Sequence, residues 1–204
     1  MRCLIATGNA GKVRYYRARL LKEGIEVVTP AELGVHADVE ENGSDPAENA
    51  AIKALAYARL TGLPVVALDD GLFLDGVPDR EQPGTHVKRI HGQEADRDTM
   101  LRHYTGLVRM YGHGGKLTGA FLKGAAVARG DDVRSFQYRD ERVFTDKVCP
   151  VELPGLPLAS IQYIERLGKY RSELTPEEEQ AEMELSREPL IAFIVKAIGE
   201  MTRE

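Results

Sequence analysis

Thr7, Gly8, Asn9 and Lys12 lie in the stretch Ala6-Thr7-Gly8-Asn9-Ala10-Gly11-Lys12 with the types and spacing that a phosphate site requires. Backbone N–H groups in a glycine-containing turn, at the positive end of a following helix, form an anion site. Thr7 and Asn9 would add side-chain donors and Lys12 a full positive charge. The stretch is not a Walker motif, because Ala6 stands where its first glycine belongs and Val13 where its Ser or Thr belongs. Read alone, it is equally a capped strand-to-helix connection.

A second set is acidic: Glu40 and Glu41 in Val39-Glu40-Glu41-Asn42-Gly43, and Asp69 and Asp70 in Leu68-Asp69-Asp70-Gly71. Hard cations such as Mg²⁺ take carboxylate oxygens, keep several waters and share phosphate oxygens of a substrate. A glutamate before one helix and an aspartate at the end of a strand would meet across a cleft. Taken singly, Glu40, Glu41 and Asp70 read as well as loop and turn residues. Asp69 differs, since it closes an apolar strand, where α/β proteins place ligands. Lys53 follows Asn49 by four residues, so the two share a helix face. Lys88 and Arg89 follow Pro83-Gly84 in a loop, as phosphate contacts or as solvated charges. The five histidines show no metal spacing, and no Ser-His-Asp or Cys-His order emerges.

The elements that position these residues are legible in outline. Residues 3–7 form a short apolar strand, Val13, Tyr16, Leu20 and Leu21 mark one helical face ending near Gly24, and residues 25–29 return as a strand. Asp45, Pro46, Glu48 and Gly62 delimit the clearest helix, as cap, first position, third position and terminator. Residues 64–70 read as a buried strand ending in two carboxylates, and a looser segment from Gly76 to Gly92 precedes a helix starting near Asp96. Residues 117–130 and 133–145 look like a strand pair. Thr175 caps a helical stretch, and Leu190, Phe193, Ile194, Ala197 and Ile198 give an amphipathic last helix.

Composition narrows the function classes. With 204 residues and 43% hydrophobic content, the chain builds a real core as one large domain or two small lobes. A net charge of −5 advertises no basic surface for nucleic acid or anionic lipid, leaving a small anionic ligand held by a few placed cations. Cys3 and Cys149 match no metal spacing and read as reduced thiols. With no membrane span and no signal pattern, the expectation is a cytoplasmic protein.

In order along the chain, ATGNAGKVR, VEENGSDPAENAAIKA, ALDDGLFLD and PGTHVKRIHG resemble the inosine triphosphate pyrophosphatase family, with KYRSELTPEEE extending the likeness toward the C-terminus. The family hydrolyses non-canonical purine nucleoside triphosphates to monophosphate and pyrophosphate. The resemblance implies an α/β (mixed α+β) fold over residues 1–204: an elongated mixed β-sheet flanked by helices, two lobes and a central cleft. It implies that Thr7, Gly8, Asn9 and Lys12 hold the triphosphate, with Asn49, Lys53 and Asp70 also at the substrate. Glu41 and Asp69 would bind Mg²⁺, with Mn²⁺ as substitute, and Asp69 would be the catalytic base. Lys88 or Arg89 falls on a basic residue after Pro-Gly, and Ser186-Arg187 on what remains of a Ser-His-Arg signature. A homodimer is also implied.

The sequence departs from the family in places. Leu68 replaces the first aspartate of the strand end, and Asp70 its serine. Leu156 to Ser160 replace the aromatic and aspartate of the base-recognition motif. The reading is therefore a nucleoside triphosphate pyrophosphatase with an altered base pocket. Two alternatives stand beside it: an enzyme dedicated to a modified or biosynthetic nucleotide, and a nucleotide-binding regulator.

Overall fold

The computed structural model describes residues 1–202. Strand β1 (Arg2–Ala6) is buried from Cys3 onward and leads through a short turn into α1 (Ala10–Lys22) and then β2 (Glu26–Val28). A one-turn helix α2 (Pro30–Leu33) and a long loop precede α3 (Pro46–Thr61), which feeds β3 (Val65–Leu74). β1 pairs in parallel with both β2 and β3, so the chain from β2 to β3 passes over β1. The two helices take opposite faces. Cys3 and Ile5 pack with Tyr16 and Leu20 of α1, whereas Leu4 and Ala6 pack with Ala50, Ala54 and Ala58 of α3. That division follows from the two-residue period of a strand. Strand order therefore reverses beside β1, which makes the carboxyl ends of β1 and β3 the place where open α/β sheets bind ligands.

β6 (Lys116–Arg129) and β7 (Asp132–Thr145) form the expected strand pair, after a small hairpin of β4 (Arg89–Ile90) and β5 (Gln93–Glu94) and helix α4 (Arg97–Tyr111). β8 (Gln162–Ile164) and β9 (Lys169–Tyr170) add antiparallel edges, giving the order β2-β1-β3-β6-β7-β8-β9. The fold is the expected mixed α/β class, a large mixed sheet with flanking helices.

The chain forms two compact units. One comprises Met1–Asp70, Lys123–Tyr138 and the chain from Arg187 onward; the other comprises Gly71–Leu122 and Arg139–Ser186. In the first, α1 and the last helix residues Leu190, Ile194 and Ile198 cover one sheet face. The other face is lined by small residues, Ala67, Ala126 and Ala128, against the alanines of α3, which lets that helix lie close to the strands. In the second unit, Met100, Leu101, Tyr104, Leu107 and Val108 of α4 pack on Leu72, Leu74, Phe144 and Ile161.

Four features differ from the sequence reading. β3 does not end at Asp69 and Asp70 but runs to Leu74, because Leu72 and Leu74 are buried and the Leu72 N–H donates to Gly84 O at 2.8 Å. What ends near Asp69 is the pairing with β1, whose last partner is Ala67. Thr29 is not strand but the cap of α2, in a reciprocal capping box with Glu32. The segment from Gly76 to Gly92 is pinned: Gln82 donates to Leu74 O and Val77 O and accepts the Leu74 N–H. The C-terminal stretch is one helix, α5 (Pro176–Met201), which contains Pro189 and is capped by Thr175, whose Oγ1 accepts the Glu178 N–H.

Both cysteines are free and buried, and burial pushes the Cys3 thiol up to about 12. Among the described residues no helix is long and apolar enough to cross a membrane.

Candidate functional site

The Thr7–Lys12 turn is held by its own side chains. Thr7 Oγ1 accepts the Asn9 N–H at 3.2 Å, and Asn9 Oδ1 accepts the Lys12 N–H at 3.0 Å, capping α1. Both side chains thus act first as acceptors that shape the turn, where the sequence suggested donors to a ligand. Gly11 lets the turn close tightly, since a Cβ there would lie 3.2 Å from Asn9 Oδ1 and press on the capping side chain. Gly8 and Asn9 are exposed at the positive end of a 13-residue helix. Lys12 Nζ sits 2.7 Å from Asp70 Oδ2, so the lysine is already oriented by a carboxylate of β3.

The second half of the site is built from the start of α3. Asp45 caps that helix through the Glu48 N–H, and Glu48 in turn accepts the Ser44 N–H and hydroxyl. One turn further on, Asn49 is 3% exposed and bonded on both sides. Its Oδ1 accepts the Gly43 N–H at 2.8 Å and its Nδ2 donates to Asp69 Oδ2 at 3.0 Å. Gly43 has no room for a side chain: a Cβ would lie 2.7 Å from Glu48 Cβ and 2.9 Å from Asn49 N. Lys53, on the same face, pairs with Glu41 at 2.8 Å. Asn49 therefore joins the Glu41 loop to the Asp69 strand.

Burial is the largest influence on the Asp69 carboxyl and pushes it above the usual carboxylate range. The Asn49 hydrogen bond and the Lys53 charge pull it back, while the Glu41 charge pushes it up again. Two carboxylates thus repel within one site, and a hard cation would relieve that repulsion. Among the described residues no group of three or more His, Cys, Asp or Glu could hold a metal ion. The donor set fits a Mg²⁺-type ion that takes two carboxylates and completes its shell with water and phosphate oxygens. Beside these residues the first unit has an open groove of about 1150 Å³, lined by Thr7, Gly8, Glu41 and Lys53 together with Arg14 and Tyr57.

The remaining expected residues divide. The Arg187 guanidinium lies 4.3 Å from the centre of the Tyr15 ring, a cation–π contact. It and Asp70 both act on the buried Tyr16 hydroxyl, whose pKa is raised chiefly by burial, then by Asp70, with Arg187 opposing. Arg187 is therefore close to the α1 face that Asp70 also reaches. Its neighbour Ser186 belongs to the second unit, where its hydroxyl donates to Asp140 Oδ2 at 2.7 Å beside Arg142. Lys88 and Arg89 also belong to the second unit; Lys88 O accepts the Ala95 N–H, and Arg89 pairs with Glu94 in the small hairpin. Gly43 and Tyr15 escaped the sequence reading. The signal for Gly43 was a glycine just before a capped helix start, and for Tyr15 there was none, because its partner Arg187 is distant in sequence.

Fold and site together define an α/β protein with two lysines and paired carboxylates gathered at a strand-order reversal. The sequence model of the Ham1 family matches residues 3–137. A dITP/XTP pyrophosphatase of Yersinia pestis is 33% identical over 180 residues, covering 87% of this chain and 89% of that one. A dITP/XTP pyrophosphatase of Geobacillus kaustophilus is 44% identical over 91 residues, 45% of this chain and 44% of its own length. For several such relatives the match therefore spans less than half of their length. Among solved structures, a HAM1 protein from Coxiella burnetii has a TM-score of 0.78 at 22% identity, covering 96% of this chain and 99% of that one. The Staphylococcus aureus Ham1 protein has a TM-score of 0.75 at 23% identity, covering 95% and 98%. The chain belongs to the Ham1 family.

Proposed function

We propose that this protein is a nucleoside triphosphate pyrophosphatase that cleaves the bond between the α- and β-phosphates, releasing nucleoside monophosphate and pyrophosphate. The observation that carries the reading is the Asn49 bridge, which sets Asp69 and the Glu41 loop together with Lys53. The relatives named as dITP/XTP pyrophosphatases support deaminated purine nucleotides as substrates.

In this reading the exposed turn N–H group at Gly8, with Lys12 and Lys53, binds phosphate oxygens, the lysines leaving Asp70 and Glu41 to do so, and Thr7 and Asn9 shape the turn that presents them. Lys88, Arg89, Ser186 and Arg187 are assigned to the substrate by family resemblance. Asp69 accepts a proton from the attacking water as its oxygen bonds to the α-phosphorus and the bond to the bridging oxygen breaks. Its raised pKa brings the carboxylate closer to the range of an effective base at neutral pH. Glu41 and Asp69 would hold Mg²⁺ or Mn²⁺, which supplies charge neutralisation for the triphosphate when bound. Catalysis then rests on positioning and electrostatics.

The base pocket is altered. Ser160, at the last position of the replaced motif, donates its hydroxyl to Val151 O, and Leu158 and Ala159 are buried. Those positions supply neither an aromatic platform nor a carboxylate to read a base. The same reading carries a cytoplasmic homodimer, checked by light scattering coupled to size exclusion. Pyrophosphate release from a panel of canonical, deaminated and modified nucleoside triphosphates, with Mg²⁺ and with Asp69→Asn as control, tests the function. Release from inosine or xanthosine triphosphate, lost in the variant, is the expected result; no release from any member refutes it.

A further inference from the structure

Asp69 and Asp70 are neighbours on β3, and the two-residue period of a strand sends them to opposite faces of the sheet. Val66 and Leu68 pack in the layer that contains Tyr16 and Leu20 of α1, whereas Val65 and Ala67 pack with the alanines of α3. The alternation carries through to the carboxylates. Asp69 accepts from Asn49 of α3, and Asp70 pairs with Lys12 of α1. Asp70 therefore stands apart from the Asn49 bridge, on the face where the Thr7–Lys12 turn enters its helix.

The Lys12–Asp70 contact is 2.7 Å long, and its side chains are only 23% and 35% exposed. Salt screens such a half-buried pair less than a fully exposed one. The Asp70 charge also reaches the buried Tyr16 hydroxyl, where Arg187 opposes it. Lys12 is the one full positive charge in the turn, so an anion that takes its ammonium must first displace a carboxylate. The displaced carboxylate stays on the same stretch of strand, as a like charge near the newcomer. Both effects lower affinity, and they do so for any anion. A nucleoside triphosphate makes up the difference through its nucleoside and its further phosphate contacts. Inorganic pyrophosphate has no nucleoside with which to do so.

We propose that Asp70 is a built-in competitor for the phosphate-binding lysine and sets which polyphosphates the site retains: a nucleotide, whose other contacts outweigh the competition, and not free pyrophosphate. The assignment rests on the reading of the chain as a nucleotide hydrolase. As pyrophosphate leaves, Asp70 recovers Lys12, so the pair favours release, the step that limits many enzymes.

The test is calorimetric binding of inorganic pyrophosphate to the full chain, with thermal melts to confirm folding. Asp70→Asn and Asp70→Ser each remove the competing charge and are expected to bind pyrophosphate at least about fivefold more tightly than wild type. Asp70→Glu keeps the charge and stays within about twofold of wild type. Combined with Lys12→Met, Asp70→Asn loses the gain, because competitor and anion act through one ammonium. A residue that merely orients Lys12 gives the opposite sign, since its removal loosens the lysine and weakens binding. Equal or weaker binding by whichever neutral variant folds, a Glu variant as tight as the neutral ones, or a gain that survives Lys12→Met overturns the proposal. So does an absence of binding by all of these proteins. Turnover of inosine triphosphate is measured separately. Tighter pyrophosphate binding by Asp70→Asn with no turnover by wild type refutes the hydrolase reading alone, whereas turnover with unchanged pyrophosphate affinity refutes the Asp70 assignment alone.

Discussion

Asn49 donates to Asp69 over 3.0 Å through one end of its carboxamide and accepts from the Gly43 N–H through the other. A single buried side chain therefore sets the strand carboxylate relative to the loop that carries Glu41.

Asn49→Ala removes a bond that lowers the Asp69 pKa, while burial and the Glu41 charge continue to raise it. The acidic limb of the kcat/KM profile should move to higher pH, with a rate loss of about 10–100-fold, as for other residues that orient ligating groups. A pH–rate series on wild type and variant checks this. An unmoved limb would show that Asn49 does not tune Asp69.

Asp69→Asn should abolish turnover and stabilise the fold. Burial holds the folded-state pKa of Asp69 above its unfolded value, so the folded state retains the proton longer. Stability then falls as pH rises from the unfolded pKa, roughly 3.9, through the folded one, and stays lower above it. The variant is free of this loss. Its Tm should exceed that of wild type at pH 7, and the difference should shrink toward zero near pH 3. Melting curves across that range decide it.

Lys12→Met and Lys53→Met should each lower kcat/KM by about 10²–10³-fold, the scale for removing one preorganised donor to a developing charge. Stability should change little, because partly exposed ion pairs such as Lys12–Asp70 and Lys53–Glu41 contribute at most about 1 kcal/mol. Steady-state kinetics and melts on the same preparations separate the two effects. A large fall in Tm with little kinetic change would make these lysines structural.

Chelation should abolish pyrophosphate release, Mg²⁺ should restore it and Mn²⁺ should substitute. Glu41→Gln should raise the Mg²⁺ concentration for half-maximal activity by about 10-fold or more, since the protein offers only a small carboxylate set there. Titrating activity with Mg²⁺ measures it. An unchanged titration would exclude Glu41 as a ligand.

Much of the site's local construction is legible from neighbouring residues. Asn9 caps α1 within the motif, and Asp45, Pro46 and Gly62 frame α3, because capping is decided over three or four positions. α4 begins after Asp96, near where the sequence placed its start, and the structure shows Asp96 capping it through the Thr99 N–H. Relationships between distant segments were not legible. Nothing near Asp69 announces that β3 continues to Leu74, since that depends on Leu72 finding Gly84. Three-residue β8 and two-residue β9 are too short for a period to show. Ser186 and Arg187, adjacent in sequence, have different partners, Asp140 for one and Tyr15 for the other, and only tertiary packing decides that.

The register of β1 on β3, Leu4 to Val65 and Ala6 to Ala67, joins segments some sixty residues apart. Such pairings form late, because loop closure must precede any gain from them. During synthesis the Thr7–Lys12 turn therefore emerges before Asp70, the carboxylate that pairs with Lys12. The two partners of the Lys12–Asp70 pair are thus made at separate stages of synthesis and meet only when β1 and β3 close into one sheet.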